Sequence, residues 1–170
     1  PSPFEDVNDN PQEALLLGAI WRVTEEERIR MLREKDEVSR YPTDDLGRME
    51  IPVSKILDSY ATLFGKDAQP SLVTIGDPGL SFTFEYDAAN GIYHVPYTSA
   101  STSYVPVLDT LKRKGSSYTL RIGYVPNNDI GVDEKGNPVD PLPEQADYFL
   151  LYHVEKEGDG WRLVSVSADK

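Results

Sequence analysis

Tyr148-Phe149-Leu150-Leu151-Tyr152-His153-Val154-Glu155 and Trp161-Arg162-Leu163-Val164-Ser165-Val166-Ser167, joined across Gly158-Asp159-Gly160, decide the fold. Two runs rich in branched and aromatic residues, separated by a glycine-bearing turn, read as an antiparallel hairpin. A three-residue loop sets Lys156 opposite Arg162, Val154 opposite Val164, His153 opposite Ser165 and Tyr152 opposite Val166. Leu150, Tyr152, Val154, Val164 and Val166 then share one face, and Phe149, Leu151 and Leu163 the other. Apolar residues on both faces predict a central pair of strands, covered on each side. A slip of one residue would expose the valine face, so the register is strongly specified.

Working outward, Val105 to Lys112 and Tyr118 to Val125 predict a second hairpin around Lys114-Gly115-Ser116. Phe82, Phe84 and Tyr86 alternate with Ser81, Thr83 and Glu85, and Asp87-Ala88-Ala89-Asn90-Gly91 turns the chain into Ile92 to Val95. Tyr97 to Tyr104 and the acidic, proline-bearing stretch Pro126 to Ala146 read as loops. Before residue 65 the period is helical. Leu15, Leu16, Ala19, Ile20 and Val23 form a stripe widened by Leu17 and Trp21, with Asp9 or Asn10 as N-cap and Pro11 at the first helical position. Thr24-Glu25-Glu26-Glu27 either opens a new helix as a capping box or lies in a continuation to Leu32. In the continuation, Glu26–Arg30 and Arg30–Glu34 are surface pairs. Asp36 to Asp45 is a loop, Asp45-Leu46-Gly47 a turn and Met49 to Ile51 a short extended piece. Val53 to Phe64 is an amphipathic helix presenting Val53, Ile56, Leu57, Tyr60, Ala61 and Phe64 to a sheet, with Gly65 at its C-terminal cap. Pro1 to Asn10 reads as a linker or tether, and residues 11–170 as one domain. Helices first and hairpins afterwards define an α+β fold, with N-terminal helices packed on a curved, mainly antiparallel sheet.

The composition narrows the function. The chain has 170 residues, 17 Lys+Arg against 29 Asp+Glu and a net charge of −12, so a nucleic acid would be repelled. No cysteine is present, which excludes disulfides, thiol nucleophiles and cysteine-held metals. No apolar run is long enough to cross a membrane.

Gly158-Asp159-Gly160-Trp161-Arg162-Leu163-Val164-Ser165-Val166 resembles the terminal strand of the nuclear transport factor 2-like, or cystatin-like, superfamily. Asp44-Asp45-Leu46-Gly47-Arg48-Met49-Glu50-Ile51-Pro52, followed by a helix closing at Leu63-Phe64-Gly65, is similar to uncharacterised exported, lipoprotein-type domains of Gram-positive bacteria. The resemblance implies a bent antiparallel sheet wrapped around a long first helix, and an extracellular or cell-surface setting. A cytoplasmic setting is the alternative. It implies no single activity, because the superfamily hosts enzymes, scaffolds and binding modules.

The residues carry little catalytic signal. His-Glu-x-x-His, Gly-x-Ser-x-Gly and a phosphate-cradling glycine loop are all absent, and nothing calls for a cofactor. The serines and threonines from Thr98 to Ser103 have no activating neighbour. His153 and Asp109 are the candidate acid–base groups, with His153 expected beside Leu151, Leu163 and Trp161. His94, beside a tyrosine-rich turn, is expected to be the more exposed histidine. Asp129, Asp133, Glu134, Asp140 and Glu144 could offer oxygens to calcium, but their spacing misses the EF-hand pattern and no metal site is expected. Eight of ten tyrosines lie between Tyr86 and Tyr152; Tyr93, Tyr104, Tyr124, Tyr152 and Trp161 are candidates to line a ligand groove.

The reading that follows is a non-catalytic extracytoplasmic module for a small ligand, peptide or protein, reaching a membrane only through an anchor preceding Pro1. Its rivals are a cone-pocket enzyme of isomerase, dehydratase or hydrolase type using His153 or Asp109, and a structural module that forms a homodimer.

Overall fold

In the computed structural model the described residues are 3–4, 12–77, 82–96, 103–129, 131, 134 and 139–169. The Asp133 position of the acidic stretch, the Asp129 side chain and residues 97–102 of the Ser/Thr-rich stretch lie outside them. The chain is α+β, with two helices and two antiparallel sheets. It divides into two compact units: Asn10–Ser99, and Ala100–Lys170 together with Pro1–Asp9.

The first unit is built on α1 (Gln12–Glu34). The helix runs through Thr24 without restarting, because the Thr24 hydroxyl donates back to the Trp21 carbonyl at 2.9 Å instead of capping a new turn. Leu15, Leu16, Ala19, Ile20 and Val23 are buried, as their spacing predicts. The Arg30–Glu34 pair forms at 2.7 Å, whereas Glu26 pairs with Arg22 at 2.6 Å.

Glu27 lies on the same buried stripe and is 1 % exposed. A carboxylate in that position requires full compensation. Arg30 supplies it from one turn away at 2.8 Å, and Arg40 supplies both its guanidinium and its backbone N–H at 2.7 Å. Burial pushes the Glu27 carboxyl up, but these donors outweigh it and hold the group at about 2. The loop that follows α1 is thereby tied to its side.

That loop feeds β1 (Met49–Pro52), which runs directly into α2 (Val53–Phe64). The helix has the predicted bounds, and the Gly65 N–H closes it on the Ala61 carbonyl at 2.9 Å. Its buried face is rotated from the expected one. Ile56, Ser59, Tyr60 and Phe64 point inward, while Leu57 is 39 % exposed. The reason is that α2 packs on α1 as well as on β1, and the Ser59 hydroxyl donates to the Ala19 carbonyl at 2.9 Å across that contact. Val53 and Pro52 carry the N-terminal end, with no side-chain cap.

β2 (Glu85–Asp87) and β3 (Ile92–Val95) complete a three-stranded sheet of order β1-β3-β2. Met49 pairs with Val95 and Ile51 with Tyr93, and all four are buried. β2 is shorter than the alternation suggests: Phe82 is 72 % exposed, and Phe84 makes only an isolated bridge to Ile75.

The second unit is a meander of β4 (Tyr104–Lys114), β5 (Ser117–Pro126), β6 (Tyr148–Glu157) and β7 (Gly160–Ala168), ordered β4-β5-β6-β7. Both tight hairpins use a two-residue turn with glycine first, Gly115 at φ +63° and Gly158 at φ +59°, where a primed turn favours glycine. The expected three-residue loop is therefore one residue too long. Glu157 pairs with Gly160, and Lys156 faces Trp161 rather than Arg162. A bulge at His153/Val154 then absorbs one residue, so Val154 faces Leu163 while Tyr152–Val166 and His153–Ser165 stand as predicted. β6 is interior but β7 is not doubly paired. Among the described residues its outer edge meets Phe4 alone, whose N–H and carbonyl exchange hydrogen bonds with Val166 at 2.6 and 2.9 Å.

Between β5 and β6, Phe149 and Ala146 crowd the Cα of Gly123: a Cβ there would lie 2.9 Å from the Phe149 ring and 2.8 Å from the Ala146 methyl. Gly123→Ala should cost about 1–3 kcal/mol as overpacking, measured by urea midpoint. Glu27→Ala leaves two guanidiniums without their shared carboxylate and should cost about 3–5 kcal/mol. Because the folded value of about 2 lies below the ordinary 4.5, this stabilisation is complete above pH 4.5 and is lost as pH falls toward 2. An acid-unfolding curve that Glu27→Gln leaves unshifted would contradict it.

Candidate functional site

The pairing of the four-stranded sheet sorts its side chains onto two chemically distinct faces. Directly opposed residues share a face. Tyr124 pairs with Tyr148, Leu120 with Tyr152, Tyr118 with Val154 and Lys156 with Trp161, so all of these lie together. Thr119 pairs with His153, and Arg121 with Leu151, on the other side.

On the aromatic face, Tyr148 stacks on Tyr124 with centroids 4.8 Å apart and planes 7° from parallel. Tyr104 meets Tyr148 edge-on at 5.3 Å, and its hydroxyl donates to Asp147 at 3.3 Å. Tyr124 is anchored in a small core with Leu150 and Val166, against which Phe4, Tyr104, Ile122, Tyr152 and Leu163 pack. Tyr148 stays 39 % exposed, and Asp147 is exposed beside it. The result is a rigid ring platform with a carboxylate at its rim. The Tyr124 and Tyr152 hydroxyls are hydrogen-bonded to each other. Burial, then that bond, raise the Tyr152 phenol far above the usual range; burial also raises Tyr124. The Asp147 carboxylate raises Tyr104.

The structure thus brings together three of the tyrosines singled out by sequence, Tyr104, Tyr124 and Tyr152. Trp161 lies on the same face at its far end, edge-on to Tyr118 at 5.0 Å. Tyr93 belongs elsewhere: it is fully buried in the three-stranded sheet, stacked on Tyr86 at 5.1 Å, with its hydroxyl on the Val73 carbonyl at 2.9 Å. Tyr148 and Asp147 were missed, although the period of two through Leu150 and Tyr152 places Tyr148 on the platform.

The candidate acid–base residues occupy the polar face. Asp109 is held by Arg121 at 2.5 Å; Arg121 also binds Asp169 at 2.6 Å and lies 3.4 Å above the centre of the Phe149 ring. His153 is 35 % exposed, with Nδ1 3.4 Å from the Thr119 hydroxyl and Nε2 3.8 Å from Glu155, beyond hydrogen-bond reach. Glu155 is itself paired with Arg162 at 3.1 Å. The bulge puts Leu163 and Trp161 across the sheet from His153, not beside it. No family model, curated protein or solved structure matches the chain. The site is therefore read from its own chemistry.

His94 corrects the sequence reading. Its side chain is 15 % exposed, less than that of His153, and Nδ1 lies 3.0 Å from Asp44. Asp44 also accepts the backbone N–H of Leu46 and Arg48 and the Arg48 guanidinium. Burial pushes Asp44 up, but these donors prevail and hold it below the ordinary carboxylate range. Glu50 and Glu85 flank His94 on the neighbouring strands, and Glu85 binds Arg48 at 2.9 Å. Fifty residues separate the two partners, so no local motif announces them. Among the described residues, no three histidine, aspartate or glutamate side chains are placed to hold a metal.

Burial raises Tyr93 to about 12, above the ordinary 10. A raised folded value means stability that is complete below pH 10 and lost as pH rises through about 12. Alkaline titration at the phenolate absorption band should show Tyr93, Tyr124 and Tyr152 ionising after the exposed tyrosines. Tyr93→Phe should remove one late-titrating group; a single transition near the ordinary value would contradict the burial.

Proposed function

We propose that the protein is a non-catalytic binding module whose ligand lies on the platform of Tyr148, Tyr104 and Asp147. The stacked, half-exposed Tyr148 ring carries this reading. Its partner Tyr124 is buried beneath it, so the ring is held without losing conformational freedom on binding. A ring face presents an apolar surface, and the adjacent carboxylate accepts hydroxyl protons. That pairing suits a sugar ring, which offers an apolar face edged with hydroxyls. Asp109 locked to Arg121, and His153 without an acidic hydrogen-bond partner, favour binding over turnover on this sheet. A nuclear transport factor 2-like ancestry belongs to the same proposal, supported by helices preceding antiparallel hairpins. So does a cell-surface setting, which rests on the likeness of Asp44 to Pro52 to exported domains.

One observation favours a second reading. Asp44 orients His94 through Nδ1, and Nε2 has no partner among the described residues, an arrangement that a general base uses.

Calorimetry or ligand-observed NMR against a panel of mono- and oligosaccharides tests both. Tyr148→Ala should weaken binding about tenfold, while Asp109→Asn and His153→Gln leave it unchanged. No binding in the panel, or binding that survives Tyr148→Ala, would overturn the platform; turnover abolished by His94→Gln would establish the second reading.

A further inference from the structure

We propose that the hairpin end of the four-stranded sheet docks on an anionic lipid surface. This site is separate from the tyrosine platform and does not depend on it.

The β4–β5 and β6–β7 turns lie at the same end of the meander, where the Lys156 N–H donates to the Ser116 carbonyl at 3.1 Å. Lys112, Arg113 and Lys114 are consecutive and exposed there, and Lys156 is exposed beside them. In a chain of net charge −12, this is a local excess of cations. Facing them are Glu155, already paired with Arg162, together with Glu157 and Asp159. Five cations thus stand against three anions at this end.

The same end exposes apolar groups on the aromatic face. Leu111 is 54 % exposed and Trp161 45 %. Leu111 pairs with Leu120 and Arg113 with Tyr118, which sets the leucines, Tyr118 and Trp161 on one surface. Arg113 lies over the Tyr118 ring at 5.9 Å, and Tyr118 meets Trp161 edge-on. Aliphatic groups, an indole and a collar of long cationic side chains are what an acyl–headgroup boundary accommodates: the rings and methyls enter while the charges stay at the phosphates. A soft surface of this kind needs no groove, and an acidic peptide would leave the leucines in water. The remaining negative charge of the protein does not prevent approach. At physiological ionic strength it is screened beyond about 8 Å, and the turns present the nearest charges.

Two tryptophans are present, so Trp21→Phe leaves Trp161 as the sole indole, excited selectively at the red edge of the absorption band. Its emission should shift to the blue on titration with phosphatidylcholine–phosphatidylglycerol vesicles. Pure phosphatidylcholine should give no shift, and high salt should reverse it. At about fivefold per cation, the K112Q/R113Q/K114Q variant should lose about a hundredfold in partitioning, and the charge-reversed K112E/R113E/K114E variant more. Leu111→Ser should weaken it without a change of charge, and circular dichroism checks that each variant is folded. No shift with anionic vesicles, or an unchanged shift in the charge-reversed variant, would overturn the proposal. So would binding to polyglutamate in place of vesicles, which assigns the surface to an acidic protein. Concentration-dependent dimerisation lost in Leu111→Ser, without vesicle binding, would assign it to a second copy.

Discussion

A carboxylate with almost no access to water, Glu27, organises the first unit. Its position on the apolar stripe of α1 would be untenable alone, since an unpaired buried charge is among the costliest groups a fold can hold. Compensation comes from Arg30 on the same helix and Arg40 on the loop beyond it, so the helix and the loop define each other. The consequences run onward along the backbone. Pro42 accepts the Glu50 N–H at 2.8 Å, Thr43 bridges Met49, and the Asp44 turn closes on Arg48. By that point β1 is aligned with β3, and Asp44 stands against His94. An apolar residue at position 27 would fill the space as well, but it would give the loop no reason to choose this path.

The second unit separates its chemistry by face instead of by depth. Strand alternation places Tyr104, Tyr118, Tyr124, Tyr148, Tyr152 and Trp161 on one side, and Asp109, Arg121, His153, Glu155 and Asp169, with Phe149 and Leu151, on the other. Arg121 ties two acids and a ring into a compact knot. Such a knot contributes rigidity while consuming the hydrogen-bonding capacity that catalysis would need. The platform has the opposite character, with a buried ring supporting an exposed one.

Element order and type were legible in the sequence because periodicity records which neighbours are apolar. The bounds of α2 followed from Pro52 and Gly65, and the β6–β7 pairing near Tyr152 followed from the valine pattern. What escaped was anything set by a partner distant in sequence. Leu57 and Ser59 are adjacent to the same stripe, and only the approach of Ala19 decides which one turns inward. The bulge beside Val154 is a compromise between a two-residue turn and a fixed register, which alternation alone cannot express. The Asp44–His94 contact joins a turn to a strand fifty residues on, and Tyr93 looked like its fellow tyrosines until burial separated it from them. Local rules name the elements; non-local packing chooses among their faces.

The exchange of hydrogen bonds between Phe4 and Val166 has a consequence for how the protein is made. Phe4 leaves a ribosome before any residue of the first unit, and its partner after all of them. Every residue of the first unit is available, and its contacts can close, before Val166 exists. The outer edge of β7 is thus sealed only after the first unit has been made, by a segment synthesised before it. Closing so long a loop adds little entropy beyond that of a loop half its length, but it fixes the order of events. The residues of the helical unit are complete first, and the sheet is finished by segments that lie on either side of it in the sequence.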